Sequence, residues 1–311
     1  MLPPHEDGSF VTTALTLFAL IGFAANSILC RLALQPGAID AVSFTTVRLV
    51  SGAVVLALVV GAGSRKAAAP SASEERSRAG SWTSAMFLFL YALPFSLAYV
   101  SLGVATGALI LFLSVQATML VGAVLAGEPI HWLEGVGILV ALGGLLHLMA
   151  PGLSAPSPAG AAVMAVAGVA WGVYSLRGRR STAPIRDTAA NFLRAAPLAV
   201  LALAAAAPLH TARATRTGLL LACASGVLAS GAGYAAWFAA LPRLKALQAA
   251  ALQLTVPVIA AIGGALLLGE HVTSRLVVSS ALILGGVGLA LGGRAIRARA
   301  AARVPGGTGT P

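Results

Sequence analysis

Long apolar segments alternate with short polar breaks along the whole chain. A bilayer core about 30 Å thick needs roughly 20 apolar residues per helix. Ten segments of about this length can be marked, and we number them spans 1 to 10: 10–30, 40–62, 82–101, 104–126, 131–150, 158–176, 188–207, 217–241, 245–268 and 272–293. Clusters of proline, glycine and charged residues separate them. The pattern predicts an all-α integral membrane protein with ten transmembrane helices.

The composition agrees with a protein whose main solvent is lipid. Of the 311 residues, 58% are hydrophobic and 9% are charged, and the mean hydropathy is +0.92. Soluble domains carry about 25% charged residues. The net charge of +11 does not indicate a nucleic-acid partner, because the basic residues form short clusters between spans. Residues 1–9 contain no Lys or Arg, so we expect span 1 to be retained and not cleaved as a signal peptide.

The positions of Lys and Arg test the number of spans, because cytoplasmic loops retain positive charge. With the N-terminus inside, fourteen of the twenty basic residues fall on inner loops and the C-terminal tail. Four fall on outer loops: Arg31, Arg213, Arg216 and Arg275. The other two, Arg48 and Arg194, lie within spans. We therefore predict a multi-pass protein of the bacterial inner membrane with both termini in the cytoplasm.

The two halves of the chain resemble each other. Three matches occur in the same order: Ile21–Arg31 with Val169–Arg179, Gly127-Glu128 with Gly269-Glu270, and Gly143-Gly144 with Gly285-Gly286. Because five is an odd number of helices, the second copy must enter the membrane from the opposite side. Inverted repeats of this kind characterise secondary transporters, which bind substrate near the midplane. We predict five-helix repeats at 10–150 and 158–296 and a short basic cytoplasmic tail at 297–311.

Several of these features together resemble the EamA branch of the drug/metabolite transporter superfamily. They are the two five-helix repeats, the Gly-Glu pairs that close spans 4 and 9, Arg48 in span 2, and the run from Tyr234 to Pro257. The resemblance covers residues 12–293 and implies that spans 1, 3, 4, 6, 8 and 9 line a central cavity. Within this branch the chain looks most like bacterial exporters of aromatic amino acids. It departs from the pattern at Val115, where the second repeat has Pro257.

Polar and aromatic residues inside the spans are candidates for the lining of such a cavity. Buried amides and phenols need partners or water, so they should face the interior of the bundle. The candidates are Asn26, Tyr91, Tyr99, Gln116, Trp171, Tyr174, Tyr234, Trp237 and Gln253. An interhelical hydrogen bond or an interfacial anchor is the alternative role, and Tyr99 fits an anchor best. Aromatic walls with amide groups suit a zwitterionic metabolite, above all a neutral or aromatic amino acid.

Charged residues inside the spans are few. Arg48 and Arg194 each lie about two turns deep, at a cost of about 2.5–3.5 kcal/mol, and we expect them to reach lipid headgroups. Contact with an anionic group, such as a substrate carboxylate, is the alternative. No Asp or Glu lies in the middle of a span, so proton antiport, exchange and facilitated transport all remain open. Glu128 and Glu270 each follow a glycine, and we expect each to stabilise the N-terminus of the next helix.

Three prolines lie inside spans 3, 7 and 9, where a missing N–H group breaks the backbone ladder. We expect them to act as bends or static kinks: Pro94, Pro197 and Pro257.

Other functional classes explain less of the sequence. An intramembrane enzyme needs an embedded pair of acids, a Ser/His pair or a metal cluster. The five histidines are scattered and the two cysteines are far apart, so we expect no enzyme activity, metal or cofactor. The remaining alternatives are an exporter of drugs or sugar derivatives, and a receptor or assembly protein. We expect a monomer, with dimerisation through Gly168-xxx-Gly172 or Gly288-xxx-Gly292 as the alternative.

The charge distribution predicts the side from which each loop can be reached. In a variant with Cys30 and Cys223 replaced by serine, the cysteine of Ser77→Cys should react only from the cytoplasm, and that of Ala155→Cys only from outside. Labelling of cells with an impermeant maleimide, before and after permeabilisation, checks this. Cytoplasmic labelling of Ala155→Cys would contradict the ten-span topology.

Overall fold

The computed structural model describes residues 6–64, 80–127, 132–150, 156–178, 181, 183–209, 213–240, 243–244 and 252–303. Within these ranges the protein is helical, with ten helices: α1 (Glu6–Leu34), α2 (Ala41–Ser64), α3 (Trp82–Tyr99), α4 (Val104–Leu125), α5 (Trp132–Met149), α6 (Pro158–Gly178), α7 (Pro184–Ala206), α8, α9 (Thr255–Leu268) and α10 (Ser274–Arg303). The eighth runs through Arg216–Ala224, a π-helical stretch Ser225–Ala232 and Gly233–Ala240. Nine of the ten are long and apolar enough to cross a membrane. The prediction of an all-α membrane protein with ten helices is confirmed.

We call the end of the bundle where α1 begins the near end. Hydrogen bonds there join the starts of some helices to each other and to the ends of others. The backbone N–H of Gly80, just before α3, donates to a carboxylate oxygen of Asp187 in the first turn of α7 (2.9 Å). The side chain of Asn191 accepts from the N–H of Ser81 (2.9 Å). Arg177, in the last turn of α6, donates to the hydroxyl of Ser84 (3.0 Å). The start of α3, the start of α7 and the end of α6 therefore meet at one end.

The opposite end, where α1 ends, is called the far end and holds the complementary set of termini. Arg31 donates to the carbonyl of Tyr99 at the end of α3 (2.8 Å). The carboxylate of Asp40 accepts from the N–H groups of Ser43 in α2 (2.8 Å) and of Arg213 before α8 (2.9 Å). Burial raises the pKa of Asp40, but hydrogen bonds from Ser43 and from the backbone outweigh it and lower that pKa below its usual value. The hydrogen bonds at the two ends therefore show that successive helices run in opposite directions through the bundle.

Glu270 stabilises a different helix from the one expected. Its two carboxylate oxygens accept the N–H of Val104 at 3.0 and 2.8 Å, and Val104 is the first residue of α4. Arg31 approaches the same carboxylate at 3.7 Å. A helix N-terminus carries unpaired N–H groups and a partial positive charge, so the carboxylate suits it. The expectation that Glu270 acts on the next helix, α10, is wrong; Glu128 lies outside the described residues.

The helix contacts in the two halves of the chain are related by a step of five helices. Helix α5 packs on α10, and α2 packs on α7. The contacts of α6 with α3 and α4 correspond to those of α1 with α8 and α9. Each of these contacts is thus converted into another of them, or into itself, when five is added to helix numbers 1–5 and subtracted from helix numbers 6–10. At the crossing of α5 and α10 a Cβ on Gly137 or Gly286 would collide with the backbone of the other helix, so these glycines allow the close approach.

Some helix boundaries differ from the predicted spans. Helix α10 continues to Arg303, so the predicted tail begins as helix, in keeping with the high helix propensity of its alanines and arginines. Helix α9 begins only at Thr255, and Pro257 lies in its first turn. Leu252 and Gln253 are helical as well, and Leu254 between the two segments has right-handed helical angles. The helix is therefore interrupted just before Pro257, whose missing N–H group cannot bond to the carbonyl four residues earlier, as expected of a bend. Pro94 and Pro197 lie inside α3 and α7, as predicted.

The far-end contact of Glu270 can be tested by a change that removes only its charge. Glu270→Gln keeps an acceptor for the N–H of Val104 but loses the attraction to Arg31 and to the N-terminus of α4. We expect a loss of stability on the order of 1 kcal/mol, seen as a lower melting temperature in detergent. The response of transport to a pH gradient should not change, because the carboxylate lies at the end of the bundle.

A double-mutant cycle provides the control for this prediction. The effects of Glu270→Gln and Arg31→Gln should be less than additive, because each removes the same contact. A normal melting temperature together with a lost pH response would contradict the structural role.

Candidate functional site

A small cavity lies between α1, α3, α4, α6, α8 and the residues that precede α9. Its lining consists of Phe23, Asn26, Ser27, Tyr91, Phe95, Leu111, Phe112, Trp171, Ala229, Tyr234 and Gln253. About 20 Å³ of it is open to the centres of water molecules. A water needs at least about 10–15 Å³ by this measure, so the cavity holds hardly more than one. As it stands, the cavity is too small for an organic substrate.

Aromatic rings from four helices form one wall of the cavity. The ring of Trp171 in α6 lies 4.7 Å from that of Tyr91 in α3 and 5.1 Å from that of Tyr234 in α8, measured between centroids. Phe23 in α1 lies 5.7 Å from Tyr234. These are the distances of tilted and edge-to-face ring pairs, each worth about 0.5–1.5 kcal/mol beyond burial. The wall thus connects both halves of the chain through ring contacts.

A chain of polar side chains lies beside this wall. The hydroxyl of Ser225 donates to the side-chain oxygen of Asn26 (2.6 Å), whose amide nitrogen donates to the hydroxyl of Tyr91 (3.2 Å). The same hydroxyl accepts from Nη2 of Arg48 (3.1 Å), and Nε of Arg48 donates to the hydroxyl of Ser230 (3.0 Å). We call these five residues the polar network. It joins α1, α2, α3 and α8 at the edge of the cavity.

Arg48 lies deep inside the bundle and does not reach the lipid headgroups. Only 1% of its surface is exposed, and the guanidinium carbon lies 5.2 Å from the ring centroids of both Tyr91 and Phe95. The expectation that Arg48 reaches the headgroups is wrong, because hydrogen bonds and cation–π contacts inside the protein replace them. Arg194, by contrast, is partly exposed and lies beside Gly80 at the near end.

The π-helical stretch of α8 brings the two serines of the network together. A π-helix forms i to i+5 hydrogen bonds, so residues five apart, such as Ser225 and Ser230, lie on similar faces. Gly226 in this stretch packs against α2, where a Cβ would collide with Ser51 and with the carbonyl of Arg48. π-Helical turns occur frequently at functional sites. Here the turn places two hydroxyls at Asn26 and Arg48.

Three comparisons with known proteins bear on this arrangement. The profile described as "EamA-like transporter family" matches residues 158–292, which cover nearly all of the second predicted repeat. An uncharacterized protein of Pseudomonas aeruginosa, PA1977, is 48% identical over 288 residues, which is 92% of this chain and 96% of that protein. The chain belongs to the EamA-like transporter family. It is accordingly a membrane transporter and not an enzyme.

A solved crystal structure shares the fold of this transporter. It has a TM-score of 0.59 and 23% sequence identity, and the match covers 89% of this chain and 97% of that one. At this identity the likeness concerns the fold alone.

The candidate residues of the transporter fall into three groups. Five line the cavity: Asn26, Tyr91, Trp171, Tyr234 and Gln253. Tyr174 and Trp237 lie behind the wall, 5.5 Å from the ring of Trp171 and 5.7 Å from that of Phe23. The remaining two are Tyr99 and Gln116, which the structure puts elsewhere.

Neither Tyr99 nor Gln116 lines the cavity. Tyr99 is fully buried, packs on Phe95 at 4.8 Å and donates its hydroxyl proton to the carbonyl of Val104 (3.3 Å), so the prediction of an interfacial anchor is wrong. Gln116 lines a separate apolar cavity between α4, α5 and α10, next to Leu113. A polar residue in a span need not face the centre of the bundle.

Several contributors to the site were not among the candidates. Phe23, Phe95, Leu111 and Phe112 are apolar residues in apolar spans, and nothing in their sequence context distinguishes them. Ser27 could have been proposed from the sequence, because the repeat aligns it with Ser175. The two network serines lie in the glycine-rich run Ser225–Ala232, whose π-helical geometry the sequence pattern does not indicate.

Tyr91 is the centre of the polar network, and its removal should be costly. Tyr91→Phe leaves the donors of Asn26 and Arg48 without their shared acceptor, and a buried unpaired donor costs about 1–3 kcal/mol. We expect a clear fall in melting temperature in detergent. Tyr99→Phe is the matched control, because it removes a buried hydroxyl that lies outside the polar network and donates to the carbonyl of Val104 at 3.3 Å. Equal losses in the two variants would contradict the central role of Tyr91.

Proposed function

We propose that this transporter exports bulky neutral amino acids, aromatic ones above all, or similar zwitterions, by alternating access. The observation that carries the proposal is the aromatic wall of Phe23, Tyr91, Trp171 and Tyr234 beside the polar network. Aromatic walls bind an apolar side chain, and a few placed polar groups hold the charged end. Both requirements of such a substrate are met within one cavity.

The small volume of the cavity supports alternating access. A space for about one water molecule holds no amino acid, so the structure fits a closed state between loading and release. In inverted-repeat transporters, opening comes from the movement of one half against the other around a central site. The proposed direction is export, with both termini in the cytoplasm and the protein acting as a monomer in the bacterial inner membrane.

Two alternative substrate classes fit the lining less well. Sugar derivatives need many hydrogen-bonding groups, whereas much of the lining is aromatic or aliphatic, including Leu111 and Phe112. Cationic drugs would have to approach the buried positive charge of Arg48. Among the cavity-lining residues there is no Asp or Glu that would attract a cation. A zwitterion avoids both difficulties.

Truncation of the cavity lining tests the proposal. Trp171→Ala removes an aromatic wall and Gln253→Ala an amide, so each should lower the efflux of phenylalanine or methionine from proteoliposomes about tenfold, the effect of losing about 1.4 kcal/mol. The matched controls are Trp132→Ala, at an exposed position of α5, and Gln116→Ala, in the separate cavity. Protein incorporation is measured in parallel for all four variants.

The result can count against the proposal in two ways. If the wild-type protein moves no neutral amino acid, the substrate assignment is wrong. If Trp171→Ala and Gln253→Ala transport as well as their controls, the cavity is not the binding site.

A further inference from the structure

We infer that Arg48 binds the carboxylate group of the transported substrate when the cavity opens, and this inference rests on the proposed function. A guanidinium has five N–H donors. In the structure Nε bonds to Ser230 and Nη2 to Tyr91, while Nη1 is buried and has no hydrogen-bond partner. A buried unpaired donor is costly, and more so when it carries charge. The vacant donors are those that a bidentate carboxylate would use.

The charge of Arg48 is also without a fixed counter-ion. Arg31 at the far end lies 3.7 Å from the carboxylate of Glu270, whereas Arg48 has no carboxylate partner within the described parts of the chain. Its partners are two hydroxyls, which are neutral. An intramembrane charge costs energy that a structural role alone would minimise by pairing it with an acid. A substrate carboxylate would supply the missing negative charge.

The position of Arg48 suits contact with a substrate in the cavity. Its guanidinium carbon lies 5.2 Å from the ring centroids of Tyr91 and Phe95, and both rings line the cavity. One layer of side chains therefore separates the charge from the cavity. Tyr91 belongs to the aromatic wall and to the polar network, so a movement of this ring that enlarges the cavity also frees the guanidinium.

This arrangement defines the class of substrate. The carboxylate would pair with Arg48, the ammonium group would lie on the ring faces of Trp171 and Tyr234 through cation–π attraction, and the side chain would fill the apolar part. A ligand without the carboxylate loses the charge-assisted bonds and meets an unpaired cation. An amine or amide of the same shape should therefore bind much more weakly than the acid.

Ligand binding to the purified protein in detergent tests the inference. The ligands are phenylalanine, 3-phenylpropionate, which lacks the ammonium group, and phenylalaninamide, which lacks the carboxylate. We expect the wild-type protein to bind both carboxylates about tenfold or more tightly than the amide. Arg48→Gln should abolish this preference by weakening only the carboxylates, and Arg48→Lys should retain part of it, because an ammonium group lacks the planar fork.

Arg194→Gln is the matched control, since Arg194 is the other arginine within a span and lies at the near end. It should leave all three affinities unchanged. Modification by phenylglyoxal, mapped by peptide mass spectrometry, gives a readout on the wild-type protein that survives if the Arg48 variants do not fold. Phenylalanine should protect Arg48 more than phenylalaninamide does.

The outcomes separate the inference from the proposed function. If phenylalanine binds but Arg48→Gln weakens acid and amide equally, Arg48 is structural and the inference fails while the substrate assignment stands. If 3-phenylpropionate binds through Arg48 but no amino acid does, the inference stands and the amino-acid assignment fails. Unchanged binding of phenylalanine to Arg48→Gln, or equal protection of Arg48 by acid and amide, overturns the inference.

Discussion

A guanidinium buried between apolar helices is the constraint on which the centre of the molecule depends. Arg48 is 1% exposed, so protein groups must replace the water and headgroups that would otherwise solvate it. Ser230 and Tyr91 do so, and Tyr91 is held in place by Asn26. Ser230 is in position because α8 is π-helical there, and α8 approaches α2 closely because residue 226 is glycine. One charge thus explains the hydrogen bonds, the irregular helix and the glycine.

The contacts at the far end can be broken at a lower cost in free energy than the contacts between α5 and α10. The Arg31–Glu270 pair has a distance of 3.7 Å and side chains 15% and 22% exposed, so water can replace it at small cost. Gly137 and Gly286, by contrast, bring two backbones into direct contact, and separating them would create a void. A transporter needs both kinds of contact, because some helices must move while others hold the halves together.

The sequence predicts the positions of the helices well, but it predicts poorly which face of each helix points to the centre of the bundle. Span length and apolarity come directly from the thickness of the bilayer, so the ten helices could be found. A helix that is apolar all round gives no signal for the face it turns inward. Tyr91 and Trp171 line the cavity, whereas Gln116, an equally plausible candidate, faces α5 and α10. The sequence places Arg48 within a span, but its burial could not be predicted, because its partner Ser230 depends on the π-helical turn of another helix.

A buried cation with neutral partners suits transport better than a buried ion pair would. An acid held beside Arg48 by the fold would compete with every substrate carboxylate at high effective concentration. The hydroxyls of Tyr91 and Ser230 compete less, because a charge-assisted bond is about twice as strong as a neutral one. Without the carboxylate the two hydroxyls still hold Nε and Nη2, so most of the guanidinium stays paired while Nη1 is open to the substrate. Binding can then be selective for an acid without making release slow.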